Sequence, residues 1–380
     1  MRIGRVVARR LLAAVPLLLA ASLVAYLLLY RAADPVARLR RIPGVRAEDI
    51  ARLVEQQGLD EPWYQGWWEW LTGFLRGDWG VSTTDRGRDA IEPIMDALPA
   101  TLELMLLALA LSAVLAVVIG VVSARREGTA TDHVLTGLAY VGFATPVFVA
   151  GVLLQLGAVW MRDHGWAIIP FAAGTVVALA ALAGVRRGGA ASRAALAGGV
   201  ALMVVSLLLW DRLGGDGATV FFTAQRYSFD HEGDLFSLDH LQHLVLPVLT
   251  LAIVNVAVWS RFMRGAMIEE LGSDHVAAAR ARGLSERRVV LGHALRNATT
   301  PLITLAALDL GAVLGGAVVT ETVFSWPGMG LLLRDAAIAR DINVAMGIVM
   351  LGAIAVVLAN LLADILQAAL DPRVDLEGRR

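Results

Sequence analysis

Long apolar runs alternate with short polar segments along most of this 380-residue chain. The runs near 11–30, 100–122, 134–160, 244–264, 301–324 and 342–368 are each about long enough to cross a hydrocarbon core of about 30 Å, which takes roughly 20 helical residues. Two more apolar stretches, near 167–185 and 195–210, lie in the middle of the chain, and the second is short. The pattern predicts an all-α, polytopic membrane helical bundle. The first run is preceded by Arg2, Arg5, Arg9 and Arg10 and extends from Leu11 to Leu29. That exceeds the ~7–15 apolar residues of a secretory signal, and no small-x-small cleavage site follows, so it reads as an uncleaved span.

One interruption cannot cross a bilayer. Between the runs at 244–264 and 301–324 stands a polar, arginine-rich segment from Asp274 to Arg296. Ser273 or Asp274 can cap a first short helix, and the alanines of 276–282 favour helix. Gly283 can take the left-handed conformation that ends it, with Leu284 as its apolar contact. Ser285 can cap a second helix whose Val289, Val290, Leu291, Ala294 and Leu295 make an apolar face, and Pro301 suits the first turn of the next span. Two readings follow from these residues. One is an interfacial amphipathic loop with snorkelling arginines; the other is a knob that docks on another protein. The small Ala277, Ala278, Ala279 and Ala281 favour docking, because a helix lying on lipid needs large apolar groups.

Arginine placement sets the orientation, since short basic loops stay in the cytoplasm. The basic N-terminus is inside, and residues 1–30 form the first span. Residues 31–97 are then extracytoplasmic, with helical spacing over 47–57 and a second helix starting at Glu61-Pro62-Trp63-Tyr64. Trp67, Trp68 and Trp70 on that helix suit the headgroup level. Spans two and three occupy 98–165 and place Arg125 and Arg126 inside. A hydrophobic hairpin at 166–212 crosses in and back, the loop 213–243 is outside, and residues 244–375 carry the remaining spans. Their cytoplasmic segment, 266–300, includes the polar knob. The C-terminus, with Arg373, Arg379 and Arg380, is cytoplasmic too.

Composition narrows the chemistry. The chain is 57% hydrophobic, with a mean hydropathy of +0.64, which is unusual for a soluble domain. A net charge of −1 gives no reason to expect a nucleic-acid partner. There is no cysteine, hence no disulfide or thiolate metal site. There is also no lysine, and a P-loop cannot be written without one. Any P-loop ATPase must therefore be a different chain. His-Glu-x-x-His and Gly-x-Ser-x-Gly are absent, so an intramembrane enzyme lacks a catalytic constellation. Asp239, His240 and His243 form a weak metal pattern that reads better as the polar start of a span.

The knob also resembles a known signature. Ala277-Ala278-Ala279, then Gly283, then His293-Ala294-Leu295 is similar to the cytoplasmic signature of binding-protein-dependent ABC importer permeases. Gly58-Leu-Asp-Glu-Pro62, Leu75-Arg-Gly-Asp78, Leu98-Pro-Ala-Thr-Leu-Glu103, Thr320-Glu-Thr-Val-Phe-Ser-Trp-Pro-Gly328, Arg340-Asp341 and Leu370-Asp-Pro-Arg373 resemble the B-type subunit of its dipeptide/oligopeptide/nickel subgroup. The general signature begins with glutamate and closes with Leu-Pro; Ala277 and Leu295-Arg296 stand there instead, departures that look like the subgroup. Two features depart from the family: residues 166–212 resemble a hairpin beyond the usual six spans, and Ala33-Asp34-Pro35 stands where Pro-Gly-Asp-Pro is typical. The resemblance implies an ABC type I importer permease fold of six core spans, to which the 166–212 hairpin adds two, making eight. It implies a bacterial plasma-membrane subunit of a peptide importer that binds no cofactor itself. ATP and Mg would belong to two cytoplasmic ATPase subunits, with a second homologous permease and an extracytoplasmic substrate-binding protein completing the assembly. Nickel or another small solute is the alternative cargo. A stand-alone secondary transporter is the competing class, but no inverted repeat supports it.

By that resemblance Ala277, Ala278, Ala279 and Gly283 would dock on the ATPase, with Arg280, Arg282, Arg287 and Arg288 as a charged rim. Inside the spans, Asp309 is expected to line the pathway or to pair with an arginine, because an intramembrane acid is costly. Glu321 is a candidate for gating or inter-subunit contact. Gly311 and Gly315 form a small-x-x-x-small pair suited to close helix packing, and Asn360 and Asp364 read as packing groups in the last span.

Overall fold

The computed structural model describes residues 2–32, 62–84, 87–164, 174, 198–205, 221–228 and 237–370. These residues are almost entirely helical, and their only β feature is an isolated bridge between Val81 and Asp89. In chain order the helices are α1 (Arg2–Ala32), α2 (Trp63–Arg76), α3 (Ile91–Arg125), α4 (Ala130–Ala144), α5 (Val147–His164), α6 (Leu238–Leu271), α7 (Asp274–Ala281), α8 (Glu286–Arg288), a π-helical turn (Val289–Ala294), α9 (Leu295–Ala298), α10 (Thr300–Phe324), α11 (Met329–Ala339) and α12 (Ile342–Leu370).

Four described helices, α1, α3, α6 and α12, are long and apolar enough to cross a membrane. α4 and α5 make a fifth if counted as one broken span. The break falls at Thr145-Pro146, where the residue before proline is pushed to an extended conformation, φ −85° and ψ 118°. α10 is 25 residues long and apolar. The large apolar side chains left exposed, among them Leu106, Val114, Val118, Leu138 and Leu153, are what a hydrocarbon solvent demands and water would penalise. The predicted hairpin at 166–212 and the helix at 47–57 fall outside the described residues, apart from Gly174 and the helical stretch 198–205.

The described residues fall into two compact units, Met1–Phe148 with Pro247–Arg380, and Val149–Leu246. In the first, α12 packs along α10 and α1, while α3 packs on α10, α11 and α12. α2 lies against α1 and α12 through buried Trp70 and Leu71, which meet Met346, Met350, Leu18 and Tyr26. Its tryptophans divide between two jobs. Trp67 donates its indole N–H to Ser22 (3.2 Å), whereas Trp63 and Trp68 remain exposed, as headgroup anchors do.

In the second unit the 221–228 stretch folds onto the start of α6. Phe222 stacks on His243 at 4.1 Å and Tyr227 on His240 at 4.7 Å. Asp239 accepts from the Ser228 N–H and hydroxyl, at 2.9 and 2.6 Å. The histidine pair is thus committed to aromatic packing, and no metal cluster occurs among the described residues.

Candidate coupling surface

The polar segment folds into a knob of two short helices around a glycine turn. Ser273 sits at the N-cap of α7, but its hydroxyl donates to Glu270 O (2.6 Å) instead of capping. Gly283 has φ +76°, a left-handed conformation that costs an L-residue about 1–2 kcal/mol. Leu284 tucks into the core beneath, as expected of the residue after such a turn. Ser285 starts the second helix through its carbonyl, which accepts from the Arg288 and Val289 amides.

The second helix departs from the predicted α-helix. Residues 289–294 form a π turn. Its buried positions, Val289, Val290, Ala294 and then Ala298, recur at four and five residues, which the wider turn places on one side. Leu291, assigned to the apolar face from its spacing, is instead 49% exposed.

The knob is seated by a dry cluster. Val276 and Ala279 of α7 join Val289, Val290, Ala294 and Ala298, and together they pack on Ala116, Ala124, Trp259, Met263, Met267 and Leu302. This divides the predicted docking set. Ala277, Ala278, Arg282, Gly283, Arg287 and Arg288 are exposed. Ala279 is fully buried, so it fastens α7 to the bundle and is not available to a partner. Arg280 is exposed but engaged internally: its guanidinium holds Glu286 across the glycine turn (3.1 and 3.3 Å) and donates to Leu271 O (3.2 Å). The hydrogen bond from Arg280 holds the Glu286 carboxyl below the usual carboxylate range. At the rear, Asn297 donates to Glu270 (3.3 Å), and His275 reaches the same carboxylate at 3.3 Å.

At the other end of α10, Glu321 is fully buried and both its oxygens are used. Thr101 donates to one (2.7 Å), and the Gly330 and Leu331 amides donate to the other (2.6 and 3.1 Å). Glu321 therefore satisfies the open first turn of α11. Thr101 in turn accepts from Met329 N (2.7 Å), and the Trp326 indole donates to Ala100 O (3.0 Å). Glycine is needed at 328 and 330, because a Cβ there would lie 2.4 Å from Glu321 Cδ or from Val318 Cα. A second buried acid, Asp341, gathers the 82–84 loop: Ser82 Oγ, Thr83 N, Thr84 N and Thr84 Oγ1 all donate to one oxygen at 2.6–3.2 Å. Its other oxygen accepts from Val344 N (3.2 Å) in the first turn of α12.

Among the described residues Asp309 meets no arginine. Its carboxylate accepts from the indole N–H of wholly buried Trp259 at 2.6 Å. Asp364 binds Arg10 of α1 through two bonds, 2.8 and 3.2 Å. Asn360 is exposed. Gly311 and Gly315 lie within helix α10.

The Thr320–Gly328 and Leu98–Glu103 stretches thus clasp one another, the arrangement their spacing along the chain left unseen. The model of the family "Binding-protein-dependent transport system inner membrane component" matches residues 177–376, and its N-terminal companion matches 3–105. The chain belongs to this family. It is similar to the oligopeptide transport system permease protein AppB of Bacillus subtilis (strain 168), 31% identical over 368 residues, 97% of this chain and 98% of that protein. It is 33% identical to the dipeptide transport system permease protein DppB of Escherichia coli (strain K12) over 341 residues, 90% of this chain and 89% of that protein. The oligopeptide transport system permease protein OppB of Mycobacterium bovis is 34% identical over 371 residues, 97% of this chain and 98% of that protein. As a member of an inner-membrane transport family with several membrane-length helices, the chain is a multi-pass membrane protein and a transport component.

Sequence reasoning noticed the Thr320–Gly328 and Arg340-Asp341 motifs but not what their acids do. It missed Asp132 and Arg264 entirely. Two oppositely charged residues 132 positions apart carry no periodic signal that would join them.

Proposed function

We propose that this chain is the membrane permease subunit of an ATP-driven importer of peptides, forming part of the translocation pathway. The carrying observation is the knob at 274–298, a rigid two-helix element with a dry base and an exposed face of small residues and arginines. Such a face suits close approach by a soluble protein, with rim charges steering association more than setting affinity. The peptide reading draws support from the oligopeptide and dipeptide permeases to which the chain is similar over nearly its whole length.

In this reading the knob is cytoplasmic, and Ala277, Ala278 and Gly283 seat in a groove of an ATPase subunit. Arg282, Arg287 and Arg288 form its rim. Closure of an ATPase pair around ATP pulls the knobs together and swings the spans. A second homologous permease completes the pathway, and an extracytoplasmic binding protein delivers the cargo. Both termini are cytoplasmic, the core has six spans, and 166–212 adds a hairpin. Asp309 stands about nine residues, or ~14 Å, into α10, near the middle of the hydrocarbon core. Its carboxylate lines the pathway. Glu321 and Asp341 hold α11 and the 82–84 loop as an outer platform.

Tagged chain purified from membranes should bring down a soluble ATPase, and its proteoliposomes should accumulate labelled peptide only with ATP and the binding protein present. Uptake that persists with no ATPase attached would overturn this reading in favour of a stand-alone transporter.

A further inference from the structure

We propose that Asp132 and Arg264 are positioning residues, a link that carries motion of the knob into helices α3 and α4; this rests on the coupling reading above. The buried Val276, Ala279, Val289 and Val290 of the knob share one cluster with Trp259, Met263 and Met267 of α6, the largest side chains in it, and with Ala116 and Ala124 of α3 and Leu302 of α10. A push on the knob is therefore felt by that stretch of α6.

The same stretch is fastened on its other sides. A Cβ on Gly120 of α3 would lie 2.6 Å from Met263 Cβ and 3.0 Å from Arg264 N, so the two helices meet with no slack. Next to Met263, Arg264 makes a two-pronged bond to Asp132, Nε to Oδ1 and a terminal nitrogen to Oδ2, both at 2.7 Å. Asp132 is only 5% exposed. Its remaining capacity goes to its own surroundings: Ser123 Oγ at the end of α3, Gly128 N in the turn (3.0 Å) and Thr136 Oγ1 one turn along α4 (3.4 Å). A single carboxylate thus ties the end of α3, the α3–α4 turn and the start of α4 to α6.

Two parallel bonds between planar groups resist rotation as well as separation. An apolar contact of equal volume would give comparable stability but would let the helices turn about one another. Lysine, a point charge on a flexible stem, would keep attraction and lose the fixed angle. Five residues earlier on α6, Trp259 makes the bond to Asp309 of α10. Motion received at the knob is thereby divided between α3 and α4 on one side and α10 on the other.

The test uses the whole assembly in proteoliposomes, with binding protein, ATPases and labelled peptide, measuring assembled complex, ATP turnover and uptake per ATP. Asp132→Asn and Arg264→Lys should assemble at wild-type level and hydrolyse ATP, while uptake per ATP falls by roughly three- to thirtyfold, the span expected of residues that carry coupling energy. Thr136→Ala, which keeps the pair, should transport normally. Unchanged uptake per ATP in both pair variants would overturn the proposal. A proportional loss of complex, ATP turnover and uptake would overturn it too, since the pair would then serve stability alone. Failure of the unaltered chain to hold an ATPase would instead strike the coupling reading itself.

Discussion

Glu321 is the most informative single residue. Its carboxylate answers two amides and one hydroxyl in a buried site, and each buried donor left unmet costs about 1–3 kcal/mol. Glu321→Ala should therefore destabilise the purified protein by about 3 kcal/mol or more, and Glu321→Gln, which keeps an acceptor, by distinctly less. Thermal unfolding in detergent ranks the two. Gly330→Ala should match the worse of them, because its new methyl meets both the Val318 backbone, which cannot swing aside, and the Glu321 carboxylate. Asp309 belongs to another class. Asp309→Asn retains an acceptor for the Trp259 indole while removing charge, so it should leave stability nearly unchanged and reduce peptide uptake. Wild-type uptake by that variant would exclude a charge role in the pathway.

At the scale of elements, the knob depends on its turn. Among the described residues, apart from its chain neighbours, no atom lies within 4 Å of a Cβ added at Gly283, so its φ of +76° is what opposes substitution. Gly283→Val should fold and reach the membrane, yet displace α7 from α8 and lower uptake per ATP. Normal coupled transport by that variant would remove Gly283 from the docking surface. The Arg280–Glu286 bridge closes the same turn. The Glu286 carboxyl is held below its ordinary range by the Arg280 hydrogen bond, so the bridge is fully formed above that range and is lost as pH falls through the depressed value. A spin-label distance across 282–287 should stay narrow through neutral pH and broaden in acid. In Glu286→Gln it should be broad throughout. The π turn explains why sequence spacing misplaced Leu291: a 3.6-residue period was applied where the backbone follows a wider one.

For the whole molecule, orientation is the property most exposed to test. The chain has no cysteine, so single cysteines introduced at exposed sites report sidedness directly. Glu69→Cys should react with an impermeant maleimide added outside cells stripped of any outer barrier, and Ser285→Cys should react only after permeabilisation. The reverse pattern would invert the topology and with it the site of ATPase docking. The clasp between residues 98–103 and 320–328, the loop gathered by Asp341 and the Arg10–Asp364 pair join stretches more than two hundred residues apart. They hold spans together by directed bonds, which matter where lipid supplies no hydrophobic force between helices.

Unaided, the sequence determined the solvent of each segment. Runs of apolar residues must leave water, an arginine-rich stretch must stay in it, and a chain without lysine cannot build a P-loop. That was sufficient for a mostly helical membrane protein and for the location of the knob between two apolar runs. It was not sufficient for which side of the knob faces out. Ala277, Ala278 and Ala279 are chemically identical, and only packing of α7 into the cluster that holds Met263 and Met267 turned the third one inward. Nor does spacing along a chain record which acid meets which donor. Asp132 with Arg264, Glu321 with α11 and Asp341 with the 82–84 loop were decided by the tertiary structure, because a buried charge takes its partner from whatever the fold brings within reach.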